Sequence, residues 1–83
     1  MIEEFSHAIL TVDVPEHGLR AGDVGTVVMV HEAGAGYTVE FMTLGGETVA
    51  VVTVPGDGVR PAGPDEIAHA RPGGGIERLA CGA

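Results

Sequence analysis

The sequence predicts an all-β fold, a small five-stranded barrel with a long loop after its first strand and a flexible C-terminal tail. Three observations carry this expectation. The stretch Gly18-Leu-Arg-Ala-Gly-Asp-Val-Gly-Thr-Val-Val-Met-Val30 packs three glycines into eight positions and then runs into unbroken apolar and β-branched residues, as a strand does that must bend sharply and then bury itself. Tyr37-Thr-Val-Glu-Phe-Met42 places Tyr37, Val39 and Phe41 on one side and Thr38, Glu40 and Met42 on the other, the period of a half-buried antiparallel strand. Hydrophobic residues make up 45% of the chain but aromatics only 4%, so Val, Ile, Leu and Ala must fill the core, with Phe5, Tyr37 and Phe41 as its few large pieces, an inventory that suits β packing.

Taken in order, Ser6 to Val12 is the first apolar run, with Ala8, Leu10 and Val12 on one parity and Ile9 on the other. Asp13 to Asp23 holds a proline, two glycines and four charged residues, the composition of a long exposed loop. Val24 to Val30 is strand two, with Gly25 marking a bulge or a close backbone contact. His31 to Gly36 supplies turn chemistry before strand three, Tyr37 to Met42. The Gly-Gly pair at 45 and 46 then makes a hairpin with strand four, Thr48 to Val54, which Pro55 ends. Pro55-Gly-Asp-Gly58 is another turn, and Val59 with Arg60 forms a short closing strand or a 3₁₀ turn. Residues 1–62 are therefore the barrel, an SH3-like arrangement in which closure removes most exposed edges. Residues 63–83 are a Gly/Pro-rich linker and tail, with Ile76 and Leu79 at helical spacing in a segment too short to be a helix on its own.

A chain of 83 residues is one small domain that buries about 60% of its unfolded surface. All four basic residues are arginines, and 12 acidic residues leave a formal charge of −8. That balance argues against nucleic acid, which is bound mainly through clustered Lys and Arg, and against anionic membrane surfaces. It favours another protein with a basic patch. Cys81 is the only cysteine, so no disulfide can form within the chain. The N-terminus MIEEFSHAIL carries glutamates where a signal peptide would be positive, and no apolar run approaches the ~20 residues of a membrane span. A cytoplasmic location is the expectation.

The blocks Asp13-x-Pro-Glu-x-Gly-Leu19, Gly22-x-Val-Gly-Thr-Val-Val-x-Val30, Tyr37-x-Val-Glu-Phe41, Gly46-Glu-Thr48 and Val59-Arg-Pro61 resemble the small bacterial proteins gathered as domain of unknown function family 4926, over about residues 6–62. The resemblance implies the barrel and no settled biochemical activity. More distantly, the glycine-valine strand followed by Tyr-x-Val-x-Phe is similar to the barrel domain of nitrile hydratase β subunits, which implies service to a larger enzyme, and to KOW-type barrels, which are usually basic where this chain is acidic.

No catalytic residues are expected. Asp13 and Glu16 lie three apart in the long loop, where a carboxylate caps its own backbone turn, and no partner base sits near them in sequence. No metal site or cofactor is expected either: His7, His17, His31, His69 and Cys81 are scattered singly, without ligand spacing. Gly73-Gly-Gly75 lacks the Lys-Ser/Thr of a phosphate loop. The expected function is that of a small, acidic, non-catalytic protein-interaction module, accessory to an enzyme or toxin encoded nearby. Its partner-binding residues are Asp13, Glu16, His17, Leu19, Arg20 and Asp23, with Leu19 tucked under the loop as an anchor. The alternative is a leader or carrier whose tail, with Cys81, is modified or cleaved by a partner enzyme. Strand four is uncharged and apolar on both parities, and this predicts that its outer face, Val49 and Val51, is covered by a second copy in a homodimer or by Ile76 and Leu79 of the tail.

Overall fold

The computed structural model describes residues 1–73; Ile76, Leu79 and Cys81 lie outside the described residues. Five strands form one antiparallel sheet: β1 (His7–Leu10), β2 (Val24–His31), β3 (Gly36–Met42), β4 (Thr48–Pro55) and β5 (Val59–Pro61). They are ordered β4-β3-β2-β1-β5. Three consecutive hairpins build the meander, and the last strand returns to pair with the first, Leu10 against Val59. The all-β expectation holds, and the long loop after β1 ends where expected, at Asp23, but begins earlier, at Thr11.

The sheet is not closed by hydrogen bonds. β4 and β5 lie at its two ends. A 3₁₀ turn at Gly56–Gly58 turns the chain away before β5 begins, and β5 is only three residues long. Among the described residues two edges therefore remain where the barrel expectation had few.

β3 follows its alternation: Tyr37, Val39 and Phe41 are buried, and they meet Val27 of β2 and Val52 and Val54 of β4 in one core with Ala8, Leu10, Leu19 and Val59. Gly25 answers to the second of its two readings, because a Cβ there would come within 2.6 Å of Val39 Cγ1 and 2.8 Å of Phe41 Cε1. The bulge in β2 falls instead between Val27 and Met29. The hairpin joining β3 to β4 closes with Thr43 N–H on Glu47 O at 2.8 Å, and Gly46 supplies the positive φ, +93°, that this turn requires.

Three expectations are corrected. Phe5 is 74% exposed and has a φ of 67°, so its ring leaves the core and Ile2 takes the place. The Ile2 N–H donates to the buried Tyr37 hydroxyl at 3.0 Å, which fixes the N-terminus onto the sheet. β1 ends at Leu10 rather than Val12 because Thr11 turns to the 3₁₀ turn at Gly56–Gly58, its N–H bonding Gly58 O and its hydroxyl Asp57 O; Val12 is exposed. Val49 and Val51 do not share a face. The register slips between Phe41 and Met42, leaving Val49 as the extra residue of a bulge, so Val49 packs against the core while Val51 stays 53% exposed.

Candidate functional site

The long loop is ordered by its own carboxylates. Val14 and Leu19 form an isolated antiparallel bridge across a single 3₁₀ turn, Pro15–His17. Pro15 presets the turn, and Gly18 leaves it at a φ of +69°, the left-handed conformation that glycine adopts without strain. Leu19 is only 5% exposed and joins the core, the anchoring position expected of it. The Asp13 carboxylate accepts the Ala21 N–H at 2.9 Å, and the Asp23 carboxylate accepts the Arg20 N–H at 2.9 Å. Glu16, His17 and the Arg20 side chain are exposed.

Asp23 does more than turn the chain. Arg71 folds back onto it, Nε donating to Oδ1 at 2.8 Å and Nη2 to Oδ2, while Nη2 also donates to the Gly18 carbonyl at 2.9 Å. Partial burial raises the Asp23 pKa, but the Arg71 hydrogen bonds, the Arg20 N–H and the two guanidinium charges outweigh it and hold the carboxyl below its ordinary value. Further along, Arg60 grips Glu66 with both terminal nitrogens, at 2.8 and 2.6 Å, and the Gly63 N–H donates to the same carboxylate at 2.6 Å. These bonds, the Arg60 pair first, lower the Glu66 pKa to about 2. The segment read as linker therefore has no strand or helix up to Gly73, yet it is pinned at Glu66 and at Arg71.

Of the loop residues expected to meet a partner, the structure thus brings Asp13 and Asp23 into the scaffold and leaves Glu16, His17 and Arg20 at the surface. Arg71 is not marked in the sequence, since nothing in its neighbourhood announces a partner 48 residues away.

A second surface is the outer face of β2, β3 and β4. Its rows follow from the register: Thr26, Glu40 and Val51 in one, Met29, Thr38 and Thr53 in the next. Hydrogen bonds run across it, Thr38 to Thr53 at 2.9 Å and the Thr48 hydroxyl to Glu40 at 2.7 Å. Met29 and Met42 are half exposed, and Leu44 at the hairpin tip is 99% exposed.

Among the described residues no group of three or more His, Cys, Asp or Glu side chains is arranged to hold a metal ion, and no helix is long and apolar enough to cross a membrane. The cleft beside β4 is an open depression lined by His31, Glu32, Gly36, Thr53 and Pro55.

A family model described as domain of unknown function (DUF4926) matches residues 4–61, which takes in all five strands and the long loop. The chain belongs to this family. No curated protein and no solved structure matches it, and the more distant likeness to nitrile hydratase β subunits gains no support.

Proposed function

We propose that this member of the family is a non-catalytic protein-interaction module whose partner presents a basic surface. The observation that carries the reading is the fate of its cations. Twelve acidic residues face four arginines, and two of those arginines, Arg60 and Arg71, are engaged in intramolecular ion pairs. The exposed carboxylates of Glu3, Glu4, Glu16, Glu32, Glu47 and Asp57 outnumber the exposed Arg20 and leave a net negative field, which steers a cationic partner and repels polyanions. Glu16 at the apex of the ordered loop is the loop carboxylate available to such a partner, with Leu19 beneath it holding the loop in shape.

The test is affinity capture from lysate of the source organism with the full chain and with a variant carrying Glu16→Gln, Glu47→Gln and Asp57→Asn. The reading expects a protein with a basic patch to be retained by the wild type, released by salt, and lost from the variant. An identical set of retained proteins for both chains would overturn it.

A further inference from the structure

We propose that the free edge of β4 binds an extended segment of the partner by strand addition, and that this segment is uncharged along the strand and basic at both ends. The inference rests on the reading above that the chain acts by binding a protein, and it names the place and the kind of segment. β4 is eight residues long, Thr48–Pro55, and among the described residues it pairs only with β3 and ends the sheet. The Gly56 N–H on the Ala35 carbonyl, at 2.9 Å, sets the alternation along the hairpin. With Gly36 opposite Pro55, the backbone groups of Val54, Val52 and Ala50 point to β3, and those of Val51 and Thr53 point away from it. Val51 and Thr53 thus present N–H and C=O groups in strand geometry, with exposed side chains and no lysine or interior proline to discourage pairing, the devices by which edges are ordinarily protected.

Charge chooses the occupant. Glu47 precedes the strand and Asp57 follows it, both exposed, so the edge is uncharged in the middle and negative at either end. At about 3.3 Å per residue, a segment matching this edge carries its Lys or Arg residues just outside a stretch as long as β4. A second copy fits less well. The two-fold pairing that satisfies both residues, Val51 against Thr53 of the other copy, sets Glu47 of one chain opposite Asp57 of the other and joins two molecules of charge −8.

The experiment follows the Val51 and Thr53 amides by hydrogen exchange in the full chain. The probe is a synthetic peptide of alternating threonine and valine with arginines at both ends. Protection of those two amides is the expected result. The same peptide with alternate amides N-methylated should give no protection, and one with glutamate ends should bind at least about tenfold more weakly. Val51→Pro removes an N–H that faces solvent, is tolerated on an edge strand, and should abolish binding. Binding of the arginine peptide without protection of Val51 and Thr53, or equal binding by its N-methylated form, would overturn strand addition while leaving a basic partner for the module intact. Protection of the same amides in the peptide-free protein, rising with its concentration, would assign the edge to a second copy and also overturn the proposal.

Discussion

The Arg71 guanidinium meets both carboxylate oxygens of Asp23 across 48 residues of sequence. A strap from the end of the domain thereby closes over the long loop, and the pair is largely shielded, with 23% and 17% of the two side chains exposed. Arg71→Ala should cost about 1 kcal/mol in urea unfolding, and it should speed amide exchange in residues 13–23 while leaving β3 unchanged. Arg71→Lys should recover only part of the loss, because an ammonium cannot span both oxygens and the Gly18 carbonyl.

The same pair makes loop order depend on pH. Asp23 has a lower pKa folded than its ordinary value, so its stabilisation is complete above the unfolded carboxyl value, about pH 4, and is lost as pH falls through the lower folded one. Unfolding free energy of the wild type measured between neutral and acid pH should fall more steeply below about pH 4 than that of Asp23→Asn. Parallel curves for the two would contradict this assignment.

Asp13 and Glu16 separate scaffold from surface. Asp13→Ala removes the acceptor of the Ala21 N–H and should destabilise by about 1 kcal/mol. Glu16→Ala removes an exposed side chain and should stay within about 0.5 kcal/mol of wild type. Thermal melts of the two single variants check both.

Gly25→Ala should destabilise by about 1–3 kcal/mol, because the added methyl meets Val39, Phe41 and the Glu40 carbonyl at under 3 Å and a packed core has little room to yield. Tyr37→Phe should cost about 1–2 kcal/mol by leaving the buried Ile2 N–H without its acceptor. In a hydrogen-exchange experiment its loss should appear first at Ile2.

Local pattern carried most of the fold. The alternation of Tyr37, Val39 and Phe41 and the glycines at 18 and 46 answer to constraints within a few residues, a sheet face or a positive φ, and Gly25 carries the mark of a close approach whose partners, Val39 and Phe41, lie on β3. What was not legible depends on register or on distant partners. The bulge that turns Val49 inward is set by how β3 and β4 pair, and composition holds no trace of it. Phe5 gave up the core to Ile2 because of a left-handed backbone at residue 5 and the reach of the Tyr37 hydroxyl. The loop was legible as a loop and Leu19 as its anchor. That a loop carboxylate caps its own backbone turn was legible, and Asp13 does so at Ala21; that Asp23 serves the loop as well became visible only with its partners, Arg20 and Arg71.

Steering of an acidic module to a basic protein shows itself in the association rate constant of the captured partner as a function of ionic strength. That rate should fall by about tenfold or more between low and high salt, with dissociation changing far less, and the variant lacking Glu16, Glu47 and Asp57 should show a shallower dependence. A rate independent of salt, or a salt dependence the variant leaves unaltered, would contradict it.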